Sequence, residues 1–210
     1  VSSHNQPPDF YHEVYFRGRG LRHRFHRRRV DALLALIGPA ARVLDAGCGS
    51  GLTCHLLARR GAAVTGVDLD EAEVAFARAR TPEGRFVVAD LERLDLGERF
   101  DVVLCSEALE HFGEDAQARV LERLAAHVAP GGRLVLTFPS RLYFALEPAW
   151  RIVRRLAHPG VVWDDEEHHA PVARAALRER LARLGLRVAG EGRMVLGLID
   201  WVVASPVTRP

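Results

Sequence analysis

The stretch VLDAGCGSG, Val43–Gly51, decides how the rest of the chain is read. Val43 and Leu44 end an apolar run, Asp45 closes it, and glycines at 47, 49 and 51 precede the helical pattern of LTCHLLARR. Such a run predicts a buried strand, a sharp glycine turn and a helix over Leu52–Arg60. Glycine suits the turn because the backbone must bend sharply there and let a ligand come close. The start of the following helix offers free N–H groups and a positive dipole end to a carboxylate or phosphate. A dinucleotide-binding fingerprint would put its third glycine at position 52, where Leu52 stands, so the match to an NAD site is imperfect.

Working outward, strand and helix patterns alternate. AVTGVDLD leads into a helix over Glu71–Arg80, RFVVADL follows, and FDVVLCSEAL precedes a helix over Glu114–Val128. GRLVLTFPS reads as a fifth strand. Continuous apolar strands separated by amphipathic helices predict an α/β fold, a mostly parallel sheet covered on both faces. The tail departs from the alternation: after a helix over Val172–Leu184, LRVAGEGRM and IDWVVAS read as two strands with no helix between them, an antiparallel edge. Upstream of the glycine turn, Tyr11–Ile37 reads as helical and is stopped by Gly38-Pro39. With no internal repeat or low-complexity linker, residues 1–210 are expected to form one domain, with lid helices over 1–37 and a substrate-side insertion over 141–170.

The composition narrows the class. The 210 residues are 48% apolar and 27% charged, ordinary for a globular protein, and the formal net charge of +2 demands no polyanionic partner. No stretch approaches the length of a membrane span, and the start lacks the apolar core of a signal peptide. Cys48, Cys54 and Cys105 have no scaffold-like spacing, so a reducing cytoplasm and three packed thiols are expected.

Acids stand at successive strand ends. Twenty-one residues beyond Gly47 comes Asp68, which can accept both hydroxyls of a ribose. Asp90 ends the third strand, where a carboxylate can accept from an adenine amino group while Leu91 packs on the ring. Any one of these aspartates alone reads as a helix cap; three in register point to a nucleoside pocket.

VLDAGCGSG, VTGVDLD, FVVADLERL, FDVVLCSEALEHF and APGGRLVLTFPS, taken in order, resemble the successive motifs of class I S-adenosylmethionine-dependent methyltransferases. The resemblance covers roughly residues 40–140 and implies a Rossmann-like seven-stranded sheet, mostly parallel with an antiparallel C-terminal strand. It implies S-adenosyl-L-methionine as cofactor and S-adenosyl-L-homocysteine as product. Asp45, Gly47, Cys48 and Gly49 would then surround the methionine part, Asp68 and Leu69 the ribose, and Asp90 and Leu91 the adenine. Cys105 or Ser106 would offer backbone to the methionine end.

SEALEHF then acquires a place. In such a fold the fourth strand ends beside the reactive methyl group, so Glu107, Glu110 and His111 border the acceptor. Three readings remain open. His111, with Glu107 and Glu110, can take a proton from a substrate hydroxyl. The same three side chains can bind a divalent cation. Or the acids simply favour the first turn of a helix. SEALEH also resembles the Glu-x-x-Glu-His element of two metal-using branches, the ubiquinone-biosynthesis O-methyltransferases and the small-RNA 3′-end 2′-O-methyltransferases. The latter resemblance implies a fourth ligand, for which His168 is the candidate, and Mg²⁺ or Mn²⁺ as the ion.

On the substrate side, Tyr11, Tyr15 and Phe16 are candidates for an aromatic lid, and Arg27, Arg28 and Arg29 for a positive patch. RLYFALEPAWRIVRRLAHPGVVW is a basic amphipathic element, suited to its own domain, to a greasy substrate or to peripheral membrane contact. The expected activity is O-methylation of a small, amphiphilic or phenolic molecule. The alternatives are a metal-assisted RNA 2′-O-methyltransferase, a nucleoside-binding interaction subunit without catalysis, and an NAD-dependent oxidoreductase.

Overall fold

Seven strands form one sheet in the order β3-β2-β1-β4-β5-β7-β6. The computed structural model describes residues 7–157 and 172–207. The strands are β1 Arg42–Ala46, β2 Ala63–Asp68, β3 Arg85–Val88, β4 Phe100–Ser106, β5 Val128–Pro139, β6 Leu186–Met194 and β7 Ile199–Pro206. Neighbouring strands from β3 to β5 run parallel, and β7 pairs antiparallel with both β5 and β6. The expected antiparallel edge is therefore present, with the last strand inserted one place inside it.

Both faces are covered, as the continuous apolar strands require. Residues alternate across the sheet, so Val43 and Leu44 of β1 enter different cores. On one face lie α2 Leu21–Ile37, α3 Leu52–Ala58 and α4 Glu71–Arg80, which bring Leu34, Ile37, Leu57 and Val74 onto Val43, Val102 and Leu104. On the other, α5 Glu114–Ala126 and α7 Arg174–Arg183 bring Leu121, Leu124, Leu177 and Leu181 onto Leu44, Val103, Leu134 and Val202. A helix α6, Arg141–Ala157, follows β5. Cys54 and Cys105 are buried, Cys48 is half-buried, and all three thiols are free, as their spacing suggested.

Helix α7 is shorter than the expected Val172–Leu184, and three further boundaries differ from expectation. The N-terminal helix is two helices, α1 Phe10–Phe16 and α2, because the RGRG segment between them holds Gly20 at φ 93°, outside the helical region. Helix α3 stops at Ala58, two residues early, and Gly61 turns the chain at φ 89°. Val128, expected to end a helix, instead opens β5 opposite Phe100, and an irregular register between Phe100 and Val102 absorbs the APGG segment.

Chain order reverses beside β1: β2 and β3 build outward on one side, β4 and β5 on the other. That switch point opens a crevice at the C-terminal ends of β1 and β4, the usual ligand position in open α/β sheets. Leu104, fully buried in β4 at the middle of the sheet, tests the core beneath it. Leu104→Ala should lower unfolding free energy by about 2–5 kcal/mol, read from the urea midpoint at unchanged slope.

Candidate active site

The glycine turn is fastened to the neighbouring strand. Gly47 and Cys48 both donate their N–H to the Val67 carbonyl at the tip of β2, at 2.8 and 3.0 Å. Gly47 sits at φ 81°, and a Cβ there would lie 2.7 Å from the Ala108 Cβ, so the turn approaches the segment after β4 too closely for any side chain. Gly51, at φ 73°, meets Ala77 of α4 in the same way, at 2.8 Å.

Asp68 closes this arrangement. Its Oδ2 accepts from Gly49 N at 2.7 Å and its Oδ1 from Asp70 N at 3.0 Å. A carboxylate has about four acceptor positions, so two such bonds leave capacity for a diol. Asp45 is buried at the tip of β1, within 3.5 Å of the Cys54 thiol. Burial pushes its carboxyl up to about 7, the thiol opposing and the nearby Asp68 charge adding to the rise.

Asp90 accepts from Glu92 N at 2.9 Å and so caps the turn Leu91–Arg93, the capping role an isolated aspartate there suggests. Leu91 is buried and Leu69 is 71% exposed on the open side of β2. Cys105 points into the core, where burial first, then Glu110 and Asp45, raise its thiol far above its ordinary value. Ser106 shares a 2.8 Å hydroxyl contact with Thr137 of β5. The ten residues read as cofactor-binding thus gather at the C-terminal ends of four adjacent strands, β3, β2, β1 and β4.

Beyond β4 and β5 a cavity of about 80 Å³ is lined by Phe25 and Arg29 of α2, Glu107 and Glu110, Tyr143 of α6, and Ile199. Glu107 holds φ 52°, a left-handed backbone unusual outside glycine, and donates its N–H to the Thr137 carbonyl at 2.8 Å. Its carboxylate pairs with the Arg29 guanidinium, each side chain being 24% exposed. Glu110, 1% exposed, sits on the turn Leu109–His111. His111 shares that turn but is not among the residues that line the cavity.

Among the described residues no three His, Cys, Asp or Glu side chains are grouped to hold a metal ion. Of the expected ligands, Glu107 is paired with the Arg29 guanidinium. His168 and its neighbour His169 lie outside the described residues.

Sequence reasoning missed Phe25 and His12, and it named Arg29 only as part of a positive patch. Phe25 and Arg29 are one helical turn apart and so share a face, a spacing that could have paired them. Tyr15, assigned to a lid, instead donates to Asp31 at 2.9 Å. His12 of α1 is buried, with Nε2 3.0 Å from the Ser50 carbonyl in the glycine turn, and no local pattern marked it.

Comparison with known proteins follows the same lines. Residues 43–132 match the family described as a methyltransferase domain. The ubiquinone biosynthesis O-methyltransferase of Stutzerimonas stutzeri (strain A1501) is 36% identical over 118 residues, 53% of this chain and 49% of that protein. The protein of the same description from Pseudomonas aeruginosa (strain LESB58) is 39% identical over 119 residues, again 53% of this chain and 49% of that protein. The chain spans about half the length of these curated relatives. Among solved structures, magnesium protoporphyrin IX methyltransferase from Synechocystis PCC 6803 with bound SAH superposes at a TM-score of 0.72 with 24% identity, covering 95% of this chain and 94% of that one. The segment that matches a methyltransferase domain runs from β1 to the start of β5 and so contains the glycine turn and the strand-end aspartates described above.

Proposed function

We propose that the chain is an S-adenosylmethionine-dependent O-methyltransferase acting on a small hydroxylated molecule. The observation that carries this reading is the adjacency of two spaces. The crevice holds a glycine turn and three strand-end aspartates, and the cavity beside it is walled by Glu107 and Glu110. In the crevice, Asp68 would accept the ribose hydroxyls, Asp90 the adenine amino group, and Asp45 would face the methionine ammonium. The open face of Leu69 would cover the nucleoside.

When bound, the cofactor would supply an electrophilic methyl group on a sulfonium, with the neutral thioether as the group that leaves when the methyl passes to the acceptor oxygen. Glu110 accepts the hydroxyl proton as the oxygen–carbon bond forms, so the buried carboxylate ends neutral. Arg29 keeps Glu107 in place and partly offsets the second negative charge. Phe25, Tyr143 and Ile199 exclude water and orient the acceptor, which makes positioning a large part of the rate.

The acceptor we favour is amphiphilic or phenolic. Leu142 and Leu146 of α6 and Leu196 at the β6–β7 turn stay exposed beside the cavity residues Tyr143 and Leu198, an apolar rim for a ligand too large for 80 Å³. The same rim is compatible with peripheral contact to a lipid surface; no helix among the described residues is long and apolar enough to cross a membrane. Free thiols agree with work in a reducing cytoplasm. An RNA acceptor is less favoured, since the net charge is +2 and no cation-holding group is assembled among the described residues.

Calorimetry with S-adenosylhomocysteine tests the cofactor reading: the wild type should bind, and Asp68→Ala should weaken binding about 10- to 100-fold. No binding, or tight NADH binding instead, would overturn it. Transfer of labelled methyl to a panel of phenols and catechols should fall by about 10²- to 10⁴-fold in Glu110→Gln, with homocysteine-product affinity intact. Full activity in that variant removes Glu110 from the role, and binding without transfer to any acceptor favours an interaction subunit.

Asp45 sets a pH dependence. An ammonium beside it favours the ionised carboxyl, so the complex lowers its value from about 7. Affinity should therefore rise with pH up to about 7 and level off above, by at most about tenfold per unit. Asp45→Asn should bind more weakly and remove that slope.

A further inference from the structure

Helix α1 is attached to the glycine turn at one polar point. His12 is 4% exposed, and its Nε2 stands 3.0 Å from the Ser50 carbonyl. A carbonyl can only accept, so Nε2 carries the hydrogen and Nδ1 is the bare nitrogen of the neutral ring. Nδ1 is itself buried and has no hydrogen-bond partner among the described residues. A second proton would thus create a buried cation with nothing to receive its N–H.

The C-terminal half of α1 is held separately: Tyr15 donates to Asp31, Arg27 donates to the Tyr15 and Phe16 carbonyls, and the Phe16 ring meets His55 and Arg80. His12 and Val14 are the buried residues of α1. A cavity of about 280 Å³ is lined by His12, Glu13, Phe16 and Arg17 of α1 together with Phe76 and Arg80 of α4. At its end α1 joins α2 through Arg17–Gly20, where Gly20 has nothing within 4 Å of a notional Cβ.

We propose that His12 is a positioning residue for the cofactor loop: its neutral ring pins α1 onto the Ser50–Gly51 peptide, and protonation at Nδ1 loosens that attachment. The consequence for cofactor affinity rests on the cofactor reading given above.

The charged neighbours favour this direction. Burial lowers the His12 value most; His55 of α3 and Arg80 of α4 lower it further, while the Ser50 bond and Asp9 oppose. Glu13 and Arg17, which line the cavity with it, are of opposite charge. A histidine whose value is lowered by docking holds the docked state fully above its ordinary 6.5 and loses it as pH falls below. The docking equilibrium then shifts by up to about tenfold per pH unit.

Hydrogen exchange of residues 10–16 and 47–51, corrected for intrinsic rates, at pH 7.5 and 5.5 tests the latch in the full chain. The wild type and Asp45→Asn should both lose protection of α1 at pH 5.5, which separates His12 from the Asp45 titration. His12→Gln, whose amide donates without titrating, should stay protected at both values. His12→Phe should be unprotected at both and bind S-adenosylhomocysteine about two- to tenfold more weakly at pH 7.5. Retained pH sensitivity in His12→Gln, or full protection in His12→Phe, overturns the proposal. A wild type that binds no S-adenosylhomocysteine overturns the cofactor reading instead, and the exchange data still decide the latch.

Discussion

Two amides of the glycine turn, those of Gly47 and Cys48, share the Val67 carbonyl, and the geometry of the site descends from that bond pair. It ties the turn after β1 to the tip of β2, which puts Gly49 N on the Asp68 carboxylate. The turn then passes so close to Ala108 and Ala77 that only glycine fits at 47 and 51. One fastening thus couples β1, β2, the segment after β4 and α4, and the crevice is the space left between them.

Charge is distributed unevenly across this edge of the sheet. The crevice holds Asp45, Asp68 and Asp90, and burial pushes the Asp45 carboxyl up to about 7. In the neighbouring cavity Glu107 and Glu110 both contribute to the lining, and the Arg29 guanidinium pairs with Glu107. The strained backbone at Glu107 persists because the Thr137 carbonyl and Arg29 both hold it. That pairing brings a charge from a remote helix to the SEALEH segment.

Much of the fold was legible. Helix α4 and strand β6 fall at their expected limits, because Asp70 caps α4 with bonds to Ala72 and Glu73, and Gly185 stands between α7 and β6. These are local signals carried by the residues at the boundary. The misreadings lie where a distant partner decides: Val128 joins β5 because Phe100 is there to pair with it. The same division runs through the site. The strand-end aspartates are marked by their position after apolar runs, whereas Arg29 meets Glu107 across 78 residues and His12 meets Ser50 across 38.

By itself, then, the sequence determined the alternation of elements, the glycine turn and the row of aspartates, since hydrophobic period and backbone freedom are properties of neighbouring residues. Only the tertiary structure decided which carboxylates line the cavity, that the Arg29 guanidinium pairs with Glu107, and that a buried histidine joins α1 to the glycine turn. Those outcomes depend on helix packing that brings remote side chains within hydrogen-bond reach, and no local pattern encodes such a distance.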